Sequence, residues 1–136
     1  MVCWAKESLS TVRVLIKNQK RTEALFFGHL ALEKMLKALC AVRCVPKVKI
    51  WGHNLQILAE RADLWRHLDA TQKRELTTID TFNIEGRYDD DNRKFKTLCT
   101  PQYTLHWFHI IVNWCKFIES IILKERVNLP NNTPAL

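Results

Sequence analysis

The chain has 136 residues, of which 47% are hydrophobic, with only 3 glycines and 4 prolines. At that length one domain can bury about 68% of its unfolded surface, and the composition excludes collagen-like, disordered and glycine-rich β architectures. The formal net charge is +7; residues 1–68 supply all of the excess, with 12 Lys/Arg against 5 Asp/Glu, a bias that favours anionic partners.

In chain order, the spacing of Trp4, Leu9, Val12, Leu15 and Ile16 predicts a first helix over about Trp4–Asn18. A second is expected from Thr22 to about Arg43, stopped by Pro46, which lacks an amide donor. A loop, "VPKVKIWGH", follows. Asn54 reads as the N-cap of a short helix through about Trp65, and Asp69 with Gln72 three residues on resembles a capping box opening a helix that ends near Gly86. Acids at Asp89, Asp90 and Asp91 read as a solvated loop. Thr100 then offers a capping hydroxyl before Pro101 at the first helical position, which predicts a last helix over about Pro101–Val127. The tail "NLPNNTPAL" is expected to fray.

These elements predict an all-α fold, an antiparallel four-helix up-and-down bundle with an extra short helix. Residues 1–128 would form the bundle and 129–136 a flexible C-terminal tail. Cysteines at 3, 40, 44, 99 and 115 include no CxxC pair, and no cleavable apolar leader precedes them. The expectation is of reduced thiols in a cytoplasmic protein. The most apolar stretch, Leu105–Leu123, carries His106, His109, Asn113, Lys116 and Glu119, too many polar groups for a lipid-exposed span.

The stretch "FFGHLALEKMLKAL" turns one apolar half of the second helix toward the core and leaves Phe26, Leu30 and Cys40 alternating with His29, Glu33, Lys34 and Lys37 on the other. Such a mixed face suits an interface or a crowded position in a bundle. The last helix carries two apolar stripes, one through Phe108, Val112 and Cys115 and another through Trp107, Trp114 and Phe117. Two stripes imply two packing partners and predict a homodimer using parts of both long helices.

Three scattered glycines exclude a P-loop and a dinucleotide-binding turn. No glutamate has histidine three residues later, HExxH is absent, and Cys40 and Cys44 announce no further zinc ligands. Neither a metal nor a cofactor is expected. Arg87, followed by Tyr88, could grip phosphate oxygens while the tyrosine stacks on a base, or it could pair with Glu85 or an aspartate.

Taken in order, "ALFFGHLALEKMLKAL", "GHNLQIL", "FNIEGRYDD" and a long apolar last helix resemble the HEPN family (higher eukaryotes and prokaryotes nucleotide-binding domain) over about Trp4–Val127. The resemblance implies a helical bundle that usually dimerises and is often encoded beside a nucleotidyltransferase. It also implies, for many members, a metal-independent ribonuclease in which an arginine is followed after four to six residues by histidine. From Arg87 that histidine would fall at Asn92, Arg93 or Lys94, and it is absent. Arg61 with His67 has the spacing, but at a rate expected by chance and ahead of the usual place. The chain instead resembles the arginine-tyrosine-acid branch.

By that resemblance Arg87, Tyr88, Lys34, Lys37 and His53 would bind nucleotide or phosphate, and Glu33, Asp89 and Asp90 would shape the cleft. The leading expectation is a non-enzymatic nucleotide- or RNA-binding homodimer partnered by a nucleotidyltransferase in a toxin–antitoxin or defence module. The alternatives are an endoribonuclease using Arg87 with His29 or His53, and a bundle that only binds protein.

Overall fold

A computed structural model describes residues 2–50, 52–85 and 88–128. Arg87 and the expected tail at 129–136 lie outside the described residues. Among those described there are six α-helices and no strand: α1 (Val2–Lys17), α2 (Arg21–Val42), α3 (Leu55–Arg61), α4 (Ala70–Asp80), α5 (Asp89–Leu98) and α6 (Pro101–Val127). Two short 3-10 turns, Lys47–Ile50 and Trp65–His67, flank α3.

The organising element is α2. Its apolar residues Leu25, Leu32, Met35, Leu36 and Leu39 are fully buried because α1 packs along one side and α6 along another, with α3, α4 and α5 touching the remainder. A helix enclosed on so many sides has little solvated face, so the mixed face expected on α2 lies largely inside the protomer. Gly28 permits the close approach of α6, since a Cβ there would meet Ile111 Cδ1 at 2.8 Å.

The expected caps form. Asn54 accepts from Ile57 N, Asp69 and Gln72 make the reciprocal capping box, and the Thr100 hydroxyl accepts from Tyr103 N ahead of Pro101. Each of these satisfies an amide that the first turn leaves without an intrahelical partner.

Four expectations about elements are corrected. The short third helix ends at Arg61 rather than near Trp65, because Arg43 Nη1 donates to Ala62 O at 2.6 Å and Asp63 turns left-handed (φ 58°). The fourth ends at Asp80 rather than near Gly86. There Thr81 Oγ1 donates to Thr78 O and the Asn83 side chain accepts from Glu85 N, local bonds that compete with the helical ladder.

The acidic run expected as loop opens α5. Carboxylates in a first turn face the positive end of the helix dipole, and buried Phe95 stacks on Phe82 with ring centroids 5.6 Å apart. Finally, the second apolar stripe of α6 is partly covered within the protomer: Trp107 packs edge-on to Phe82, and Trp114 Nε1 donates to Glu75 Oε1 on α4 at 3.1 Å. Two stripes therefore do not by themselves require a second subunit.

Candidate functional site

The charged residues of α2 do not share one environment. His29 is fully buried and Glu33 nearly so, whereas Lys34 and Lys37 are half-buried. Burying such groups without partners would cost several kcal/mol each, roughly, and each of them has a partner. Glu33 accepts from His53 Nδ1 at 2.8 Å and from Lys37 Nζ at 3.3 Å. His29 Nε2 lies 3.2 Å from the His53 carbonyl and 3.4 Å from Asp80 Oδ1, so it carries the hydrogen and donates to both. Its other nitrogen, Nδ1, has no hydrogen-bond partner among the described residues. The Asp80 carboxylate also accepts from Leu55 N at 2.9 and 3.1 Å.

The turn entering α3 is thus held at its ring, its carbonyl and its following amide. Gly52, with φ of 106°, supplies the left-handed step that lets the chain reach this position. The His53 imidazole is 58% exposed, with its Nδ1 held against the Glu33 carboxylate. A carboxylate-oriented imidazole of this kind can accept a hydrogen bond or a proton.

Lys34 belongs to a different contact. Its Nζ donates to Ser8 Oγ at 3.0 Å and sits 5.8 Å from the centroid of the Trp4 ring. Both lysines assigned to phosphate are therefore engaged within the protomer.

Tyr88 stands immediately before α5 and is 83% exposed; Asp89 and Asp90, in the first turn, are exposed as well. Asp89 lines a groove between α5 and the first turn of α2. Lys34 is 12 residues farther along α2 than Thr22, which lines the same groove, a separation of about 18 Å along the axis. Among the expected site residues, His29, Glu33, Lys37 and His53 come together in one network, and Tyr88 and Asp89 lie near a second locus.

That second locus contains residues the sequence reading did not single out. Two adjoining cavities, of about 350 and 160 Å³, share Thr22, Glu23 and Lys96 as walls. Lys20 and Arg21 line the smaller and Arg93 the larger. Glu23 and Asp89 oppose these four cations, which form no ion pair among the described residues. Only "KRTE" beside the end of a first helix hinted at this groove; the contribution of α5 was hidden by reading it as loop. Asp80 was missed too, since its role depends on a contact with Leu55 across 25 positions.

Among the described residues, no group of three His, Cys, Asp or Glu side chains converges to hold a metal ion. Buried thiols are poor nucleophiles here: burial pushes Cys99 up to about 11 and Cys115 up to about 12.

A family model for the HEPN domain matches residues 3–118. The chain belongs to the HEPN family. No curated protein and no solved structure matches it.

Proposed function

We propose that this chain binds nucleotide or RNA phosphate as a cytoplasmic homodimer, with residues 1–128 folded around a four-helix up-and-down core and a nucleotidyltransferase as partner in a toxin–antitoxin or defence module. The observation that carries the binding assignment is the groove at the start of α5, where Lys20, Arg21, Arg93 and Lys96 have no acidic partner among the described residues. Four cations against Glu23 and Asp89 leave a net positive lining, and exposed Tyr88, the residue before Asp89 in the chain, offers a stacking face for a base. Arg87 supplies the guanidinium fork of the branch motif. Lys34 and Lys37, about 18 Å or more along α2 from this groove, would engage only a ligand long enough to span that distance, such as RNA, exchanging Ser8 and Glu33 for its phosphate oxygens, while Asp90 helps set the groove's outer edge.

Titration of a fluorescent RNA oligonucleotide and of ATP tests this reading. Arg87→Ala and Lys96→Glu should each weaken binding about tenfold or more while the circular dichroism stays unchanged, and affinity should fall steeply with salt. Unchanged affinity in both variants would remove the groove from the site.

A second reading, a metal-independent endoribonuclease, is favoured by one observation: the 2.8 Å contact that orients His53 on Glu33. In that reading His53 Nε2 serves as general base and Arg87 stabilises the phosphate. Cleavage of RNA in EDTA that disappears in His53→Ala would establish it; intact RNA after prolonged incubation leaves the binding reading alone.

A further inference from the structure

Between α1 and α6 runs a groove of about 400 Å³ that the phosphate-binding assignment does not use. Its floor is apolar: Ala5, Leu9, Met35, Val112 and Cys115. Its rim carries Lys6 and Arg13 from α1 and Lys116 and Glu119 from α6. Lys6 is already paired with Glu119 at 3.2 Å. Arg13 lies 5.6 Å from the centroid of the Phe108 ring, and neither it nor Lys116 has an acidic partner among the described residues.

We propose that this groove docks an acidic amphipathic helix of another protein. Length supports a helix: Lys6 and Arg13 are seven residues apart on α1, about 10 Å, the span of an i, i+4, i+7 set of anchors. Charge selects the kind of helix. Two uncompensated cations flank an apolar trough, so the complementary surface is a stripe of leucine-like side chains bordered by Asp or Glu.

Charge also disfavours a second copy of this chain. A twofold contact of the groove with itself would set one rim carrying Arg13 and Lys116 against the same cationic rim of the other copy, with Glu119 already engaged by Lys6. Nucleic acid, for its part, would leave the apolar floor without use, because phosphates call for cations and bases for exposed aromatic faces.

The probe is a stapled synthetic helix of about 14 residues with Leu at i, i+4 and i+7 and flanking Glu, compared with the same peptide carrying Lys in place of Glu. Binding to the full chain is followed by fluorescence anisotropy and by the methyl NMR signals of Leu9 and Val112. The Glu peptide should bind at least about tenfold tighter than the Lys peptide, and the preference should reverse in Arg13→Glu/Lys116→Glu.

If that double variant fails to fold, Lys116→Glu alone, at an exposed position, should still weaken the Glu peptide several-fold. Equal affinity for the two peptides, or equal affinity of the Glu peptide for native and variant protein, overturns the proposal. So does displacement of the peptide by an RNA oligonucleotide, or a concentration-dependent shift of the Leu9 and Val112 methyls without peptide, which would assign the groove to a second copy.

Discussion

Glu33 keeps a carboxylate at 7% side-chain exposure between Lys37 and His53. Truncating it leaves a half-buried ammonium without its counter-ion and frees the ring that anchors the turn into α3. Glu33→Ala should therefore lower stability by about 1–3 kcal/mol, read from urea unfolding, while Glu33→Gln, which still offers an acceptor, should cost less. A double cycle with His53→Ala should return a coupling of roughly 0.5 kcal/mol or more; additivity would mean that the contact carries no stability. The thiols give a pH test. Cys115 is raised by burial first and by Glu119 second, to about 12 from an ordinary 9.0, so the native state holds this proton after the unfolded chain has released it. The resulting stabilisation is complete below pH 9 and declines as pH rises from about 9 to 12. Urea midpoints should accordingly fall less steeply across that range in Cys115→Ala than in the native chain.

At the level of elements, what could be read from the sequence follows the range of the forces involved. The caps at Asn54, Asp69 and Thr100 are set by side chains within three residues of the amides they serve, and they were legible. The helix over 89–98 was not, because its acids read equally well as loop and its anchor, Phe95 on Phe82, spans a turn between two elements. The buried network was half-legible: Glu33 with Lys37 lies one turn apart on α2, but Asp80 reaches Leu55 and His29 only once α2, α3 and α4 have packed. The α2–α6 contact is tightest at Gly28, and here the size of the added group decides the outcome. Gly28→Ala should be nearly neutral, since the end of the Ile111 side chain can shift and alanine gains up to about 1 kcal/mol of helix propensity. Gly28→Val adds two methyls where the first Cβ already stands 2.8 Å from Ile111 and should cost about 1–3 kcal/mol, measured by the same unfolding curves.

On the scale of the whole molecule, no helix among the described residues is long and apolar enough to cross a membrane. Arg43 closes the end of the structure where α2, α3 and α6 finish, donating to Ala62 O and pairing with Glu125 at 2.9 Å. The proposed homodimer is a statement at this level as well: light scattering at micromolar concentration should give a mass near twice 16.0 kDa, and a single-chain mass would count against it. Gln19 and Cys44, each just beyond the end of a long helix, adopt positive φ (61° and 60°) without being glycine. A side chain with a Cβ is held there in a conformation L-residues resist by roughly 1–2 kcal/mol, so the chain carries unrelieved tension at two of its corners. Substituting glycine at both should raise the melting temperature by several degrees, which makes these corners the first place to look when a hardier version of the protein is wanted.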